Sequence, residues 1–393
     1  MMIKTAGRNC LKFAVLFLTA VLITGALFFT GVQPVSATNP AYNICTEDLS
    51  NPVFDPAEKA YYPSIVFDGS LYHLWYDNGS ETMYSTSADG ITWAAGVLVS
   101  GLNPGHSRHP HVAQVGPGYR IWYEDDTLLY TVNAIRTAQS VDGINWTSDQ
   151  TITQVGTSVI TGTWPDWNTG TYGVCEVFYN AGGSGTITVP VNAASVWANK
   201  FVMYYDGTTG AVEDIGMAVS ADGILWEGYN GGAAPVLAHS GGTAWDSDFT
   251  TFCSVVNIGG VYQMWYSGGQ VASNEGIGYA QSPDGLTWTK DAGNPMLHMT
   301  DGVTWRSGRT YTPEVIYNAG GSGTIQMWYN GTASGNYALG HALITALTPA
   351  PSSVGGEVGR VNKLALVAPY LGLGVIMMTA VFFGRKLIKV RNR

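Results

Sequence analysis

One short pattern, met five times, constrains the fold of this chain more than any other feature. It reads Tyr72-His-Leu-Trp-Tyr76, Tyr119-Arg-Ile-Trp-Tyr123, Phe201-Val-Met-Tyr-Tyr205, Tyr262-Gln-Met-Trp-Tyr266 and Ile325-Gln-Met-Trp-Tyr329. Alternating aromatic and aliphatic side chains over five positions describe a half-buried β-strand. Four copies are followed by a turn: Ser87-Ala-Asp-Gly-Ile-Thr-Trp93, Ser140-Val-Asp-Gly-Ile-Asn-Trp146, Ser220-Ala-Asp-Gly-Ile-Leu-Trp226 and Ser282-Pro-Asp-Gly-Leu-Thr-Trp288. Asp-Gly between β-favouring residues signals a tight hairpin, because that turn needs positive φ.

A third pattern precedes each aromatic strand: Pro63-Ser-Ile-Val66, Pro110-His-Val-Ala113, Cys175-Glu-Val-Phe178, Cys253-Ser-Val-Val256 and Pro313-Glu-Val-Ile316. Each unit therefore holds four antiparallel strands, and five such units predict an all-β, five-bladed β-propeller over residues 38–346. An open array of β-sandwiches is the alternative. The fifth unit ends at Leu343 without an Asp-Gly turn. Asn51-Pro-Val-Phe54 matches Asn294-Pro-Met-Leu297, so residues near 41–49 are expected to supply the missing strand and close the ring.

The two ends of the chain read as membrane signals. Lys4, Arg8 and Lys12 precede an apolar run from Phe13 to Phe29, and Val35-Ser36-Ala37 offers small residues for cleavage. This predicts an N-terminal signal helix over 1–37, with an uncleaved anchor as the alternative. Leu364 to Phe383 is free of charge and is followed by Arg385, Lys386, Lys389, Arg391 and Arg393. A C-terminal transmembrane helix over 364–384 with a cytoplasmic basic tail, 385–393, is expected, joined to the propeller by a linker at 347–363. The chain would then be a single-pass cell-surface protein with its N-terminal domain outside. Gly355-Gly-Glu-Val followed by Asn362-Lys363-Leu364 resembles C-terminal anchors of prokaryotic surface proteins.

Between the two signals, nine basic residues stand against all 28 acidic ones, a net charge of −19. Such a surface repels phosphate backbones, which argues against a nucleic-acid partner. Cys45, Cys175 and Cys253 are three thiols, too few for a disulfide scaffold, and the like placement of Cys175 and Cys253 favours buried thiols over a bridge. No phosphate loop, nucleotide fingerprint or Ser-His-Asp arrangement appears, so no cofactor is expected.

The cadence Tyr-x-Met-Trp-Tyr-Ser-Gly, then Ile-Gly-Tyr-Ala-x-Ser-Pro-Asp-Gly-Leu-Thr-Trp, over 262–288 resembles the five-bladed glycosidase propellers: the arabinanase/xylosidase, invertase/levansucrase and mannoside-phosphorylase families. The turns also resemble the Asp-box of sialidases with one residue fewer, which implies a structural role for Asp89, Asp142, Asp222 and Asp284. The resemblance places a site in the central funnel, at the starts of the innermost strands. Tyr62, Arg108, His109, Trp164, Asp166, Trp167, Trp245, Arg309, Tyr311 and Glu314 are the expected carbohydrate-binding residues there. Aromatic faces stack on sugar rings and charged groups bond to hydroxyls. Arg108 and Arg309 could clamp a carboxylate, as on an acidic sugar. His106, His109 and His111 lack metal-ligand spacing, and no metal is assigned to them.

Glycoside hydrolysis needs two carboxyls across the scissile bond. The resemblance implies an Asp at the first inner strand, but Ala60-Tyr61-Tyr62-Pro63 has none. Glu176 is the candidate general acid, although strand alternation could turn it, with Glu314, toward the neighbouring blade. Asp246 and Asp248, two apart on what would be an extended segment, form the other candidate catalytic pair. The expectation is a membrane-anchored, extracellular glycan-binding propeller of glycosidase ancestry. An active glycoside hydrolase or phosphorylase, or a structural adhesion protein, are the alternatives, and whether the chain is an enzyme stays open.

Overall fold

A computed structural model of the 393-residue chain describes residues 44–127, 134–154, 170–179, 201–209, 212–228, 234–258, 260–270, 274–317, 325–333 and 335–345. The chain divides into two compact units, Met1–Leu347 and Thr348–Arg393. All described residues belong to the first. The expected signal segment, linker, membrane helix and basic tail lie outside the described residues. Among the described residues, no helix is long and apolar enough to cross a membrane.

The described part is all-β, in five antiparallel groups. The first holds β2 (Tyr61–Phe67), β3 (Tyr72–Asp77), β4 (Thr82–Ser87) and β5 (Val97–Leu98); the second holds β6 (Ser107–Val115), β7 (Gly118–Asp125), β8 (Ala134–Ser140) and β9 (Trp146–Thr151). The third holds β11 (Gly170–Tyr179), β12 (Phe201–Thr209), β13 (Val212–Ser220) and β14 (Leu225–Gly228), with β10 (Thr153–Gln154) added parallel to β14. In the fourth are β15 (Phe249–Ile258), β16 (Val261–Gln270), β17 (Asn274–Ser282), β18 (Thr289–Lys290) and β19 (Leu297–His298). The last group is β20 (Arg309–Tyr317), β21 (Ile325–Ala333) and β22 (Asn336–Thr345), completed by β1 (Ile44–Glu47) from the chain start.

The groups close on one another as the blades of a propeller. Their first strands, β2, β6, β11, β15 and β20, touch in that order and β20 returns to β2. Five apolar clusters fill the gaps, each drawn from two consecutive blades; one unites Leu74 and Tyr76 of the first blade with Trp328 and Leu339 of the last. Burying an aromatic of this size stabilises by roughly 2–3 kcal/mol, and the strand signature supplies at least two per blade.

The signatures also bond across those gaps. The indole N–H of Trp75 donates to Gly143 O at 2.7 Å, Trp122 to Gly223 O at 3.0 Å, and Trp328 to Gly90 O at 2.7 Å. In the third blade Tyr204 takes the Trp position and its hydroxyl donates to Gly285 O at 2.7 Å. Four of the five aromatic strands thus grip the Asp-Gly turn of the next blade. Gly143 has φ 76°, and a Cβ there would stand 2.6 Å from the Trp75 ring. Only glycine meets both demands. The turn aspartates bond their own loops: Asp89 Oδ1 accepts the N–H groups of Thr92 and Ile91, which hold its carboxyl down at about 2.

Ring closure follows the expected phase. β1 pairs antiparallel with β22, Ile44 opposite Thr345. Asn51 then spans His341, accepting its N–H at 2.7 Å and donating to its carbonyl at 2.9 Å, as Asn294 does with Tyr279 at 2.8 and 2.9 Å.

Candidate functional site

The hub is built by the inner strands, which do not pair with one another through backbone ladders and so leave N–H groups needing acceptors. One side chain per blade meets that need. Ser64 Oγ accepts Val112 N–H at 2.9 Å, His111 Nε2 accepts Val177 N–H at 2.9 Å, and Glu176 Oε2 accepts Val255 N–H at 3.1 Å. Ser254 Oγ accepts Val315 N–H at 3.0 Å, and Glu314 Oε1 accepts Ile65 N–H at 2.8 Å, which completes the circle. Glu176 and Glu314 therefore stand in an inter-blade belt, each bonded to the next blade, and both also border a larger cavity at the hub. Glu176 also meets His111 Nε2 at 3.2 Å and accepts the Ser254 hydroxyl at 3.2 Å. Burial, then the Glu176 charge, raises the Glu314 carboxyl to about 8.

One step toward the strand starts, the backbone turns unusual. Tyr62, His109, Phe252 and Thr312 have φ of 49°, 46°, 44° and 49°, and the ladder of each strand shifts register beside them. Positive φ in residues with side chains is strained, and persists where neighbours hold it. The holders are polar residues directly after the aromatic signature: Asn330 Oδ1 accepts Tyr62 N–H at 2.8 Å, Asp206 Oδ1 accepts Phe252 N–H at 2.9 Å, and Ser267 Oγ accepts Thr312 N–H at 2.7 Å. The strained turn aims rings at the axis. Tyr62 and His109 lie 3.6 Å apart between centroids, and Tyr62 and Phe252 4.9 Å. The cavity these rings border, lined also by Cys175, Cys253 and Glu314, measures about 30 Å³, room for a water and not a sugar. Both cysteines are buried and free. A larger, mostly apolar cavity of about 500 Å³ opens at the far ends of the same strands, around Ile65, Val112, Val177, Val255 and Val315.

Charged groups crowd the entrance above the rings. Arg108 Nε donates to Asp77 Oδ2 at 3.0 Å and its Nη1 to Asp126 Oδ2 at 3.4 Å. His109 Nδ1 stands 2.8 Å from Glu124 Oε2. Arg309 lies 4.0 Å above the Tyr311 ring and meets Glu275 with two bonds, 2.6 and 2.7 Å. The two arginines expected to await an acidic ligand are thus neutralised by the protein's own carboxylates. Burial lifts the Asp206 carboxyl to about 6, and burial followed by the charge of Asp206 lifts Glu213 to about 7.

Sequence reasoning did not name Asp77, Glu124, Asp206, Glu213 or Glu275. The first three share a signal visible in hindsight: each follows an aromatic strand signature, where the other two blades carry Ser267 and Asn330.

The expected pair in the fourth blade lies elsewhere. Residues 242–248 form turns and bends, not an extended segment. Asp246 is almost fully buried, paired with Lys290 Nζ at 2.6 Å and accepting the Tyr266 hydroxyl at 3.3 Å. Asp248 accepts the Ser247 hydroxyl at 2.8 Å. Trp245 covers the sheet of its own blade, 5.8 Å from Tyr266, where a Cβ on Gly278 would strike it at 2.6 Å. Trp164, Asp166 and Trp167 lie outside the described residues.

The fold matches solved structures of propeller glycosidases. A thermostable family-43 glycoside hydrolase superposes with TM-score 0.52 at 16% identity, covering 79% of this chain and 96% of that one. A glycosyl hydrolase from Bacteroides ovatus gives TM-score 0.56 at 16% identity, over 77% and 94%. A structure from a family of mannoside phosphorylases that contains hydrolases of β-1,2 mannosidic linkages in Candida mannan gives 0.53 at 16% identity, over 79% and 95%. At 16% identity the likeness is one of fold. No family model matches the chain, and no curated protein matches it significantly.

Proposed function

We propose that this chain is a glycan-binding propeller of glycosidase descent, tethered outside the cell by residues 364–384, which holds carbohydrate at the hub entrance without cleaving it. The observation that carries this reading is the filled strand-start side of the hub, where Tyr62, His109 and Phe252 leave about 30 Å³, too little for a sugar ring. Glu176 and Glu314 hold the blades together, and the fold likeness supports sugar-related ancestry. Tyr61, Tyr62 and Tyr337 offer ring faces around the entrance for a ligand at its rim.

The test is retention of the full-length chain, purified in mild detergent, on an immobilised glycan panel, with reducing-sugar release assayed on the same glycans. Retention without release is expected. Loss of retention on every glycan ends the reading, and truncation after residue 363 should release the protein from membranes if the tether is right.

A second reading, hydrolysis, is favoured by one observation: Glu213 titrates near neutrality, as a proton donor to a leaving group must. Under it, Glu213→Gln abolishes sugar release and leaves retention intact.

A further inference from the structure

We propose that the larger cavity, at the far ends of the inner strands, is a binding site for small apolar amines whose ammonium group is held at Glu314. The inference goes beyond the glycan reading and does not depend on it, because that reading concerns the opposite ends of the same strands.

The cavity measures about 500 Å³, a volume typical of small-molecule sites. Ile65, Val112, Val177, Val255 and Val315, one from each blade, form its walls, and each is nearly buried within the propeller. It is therefore a recess in the ring and not an outer apolar patch. Its polar side is the inter-blade belt, where Glu176, Glu314 and His111 all border it. Apolar walls with a few convergent polar groups suit a ligand with a hydrocarbon body and one polar head.

The belt defines that head. Its task is to accept an N–H from each following blade, and Ser64 and Ser254 do so with hydroxyls. Two acids in the same ring exceed that need. Glu176 is fully engaged: it meets Val255 N–H at 3.1 Å, the Ser254 hydroxyl at 3.2 Å and His111 Nε2 at 3.2 Å. Glu314 is not. It is 6% exposed, its Oε1 accepts Ile65 N–H at 2.8 Å, and its other oxygen has no partner among the described residues. A buried polar atom without a partner is costly, and a ligand group entering the cavity relieves it.

Charge decides which group. His111 and Glu176 pair with each other, which leaves Glu314 as the unmatched acid of the three. Strands β2 and β15 bring only the hydroxyls of Ser64 and Ser254 to the belt, and Asp68 at the cavity rim pairs with His73 at 3.1 Å. Without a ligand Glu314 carries a proton, in line with burial and then the Glu176 charge lifting it to about 8. His111 titrates above its ordinary value although burial opposes it, because Glu176 lies beside it. An ammonium takes the place of the Glu314 proton: the acid ionises, and the nitrogen donates to its free oxygen. The net charge of the cavity is unchanged by that exchange. A carboxylate head would add a third anion beside Glu176, and a hydroxyl head would bond Glu314 without ionising it.

The experiment is titration calorimetry of the full-length chain in lipid discs, with empty discs as the blank, against hexylamine, hexanol and hexanoate. Discs avoid detergent, which would compete for an apolar recess. Hexylamine, like a lysine side chain, stays charged throughout the pH range used. At about pH 8 it should bind about tenfold tighter than hexanol, the step from a neutral to a charge-assisted hydrogen bond, with hexanoate weaker still. From about pH 6 to about pH 7 its affinity should rise about tenfold while that of hexanol stays level, because a proton leaves Glu314 for each amine bound. Repeating the titration in buffers of different protonation heat counts that proton directly. Glu314→Gln should bring hexylamine down to the level of hexanol and remove the pH dependence. Equal binding of amine and alcohol, no proton released, full amine affinity in the variant, or no binding of any of the three overturns the inference. The alcohol and proton comparisons use the native chain alone, so the outcome does not depend on the variant folding.

Discussion

Glu314→Gln is the sharpest probe of the belt that joins the blades at the hub. The carboxyl is 6% exposed, accepts Ile65 N–H at 2.8 Å and shares its surroundings with Glu176 and His111. Its folded-state value of about 8 lies above the ordinary 4.5. For a group whose pKa rises on folding, the favourable contribution is complete below the unfolded value and is lost as pH climbs through the folded one. Stability should therefore fall between about pH 5 and pH 8, as the buried acid is forced to ionise. At ~1.4 kcal/mol per pH unit, the gap from 4.5 to 8 sets a ceiling of roughly 5 kcal/mol, and most of it, about 3 kcal/mol, falls inside that window. Glutamine keeps the carbonyl that accepts Ile65 N–H and never ionises. Urea unfolding of native and variant chains at both pH values cancels the titrations remote from the belt and reads Glu314 together with Glu176 and His111, which sense its charge. The variant should be near-equal or slightly weaker at pH 5 and gain about 3 kcal/mol relative to native at pH 8. A native-to-variant difference that stays constant across the window would refute a neutral, buried Glu314.

The other predictions concern the contacts between and within blades. Trp328→Phe should cost about 1–2 kcal/mol more in urea unfolding than Trp265→Phe, because Trp328 donates to Gly90 O while the Trp265 indole N–H has no partner among the described residues. Gly143→Ala should cost at least about 3 kcal/mol, since φ is positive and the new Cβ meets Trp75 at 2.6 Å; Gly69→Ala, with φ 100° and nothing within 4 Å, should cost only about 1 kcal/mol by the same assay. Asp246→Asn should lower stability by roughly 2–3 kcal/mol by stranding the Lys290 ammonium, and should leave glycan retention unchanged, because the pair serves the sheet of its blade.

How far the sequence could be read depends on how local each signal is. The aromatic strand and the Asp-Gly turn announce themselves within seven residues, and from their count came the four-stranded units, the missing fifth turn and the strand borrowed from the chain start. What they bond to was hidden, because Trp75 and Gly143 are partners only once two blades lie side by side. The inner strands misled for a different reason. Alternation left Glu176 and Glu314 free to face the funnel or the neighbouring blade, and the register shift beside them, which inserts an extra step and changes parity, decides which. No composition rule reveals a bulge at Tyr62-Pro63 in advance. The entrance acids escaped for a third reason: Asp77, Glu124 and Asp206 lie on the second strands, directly after the aromatic signature, and not on the inner ones.

The fifth blade shows that the repeated bonds are what the repeated residues are for. Wherever a blade follows with an Asp-Gly turn, the preceding aromatic strand donates to it; the last blade has no such turn, and Trp265, which should reach it, is the one member of its column left with an unsatisfied donor. The ring compensates on the outer side, where β1 brings Glu47 to pair with the almost fully buried Arg306 at 2.7 Å. In the fourth blade the corresponding place is held by Asp246 with Lys290, the same pairing with the charges exchanged. An ion pair that can swap its signs between blades is selected for its fit to the sheet, not for chemistry on a ligand.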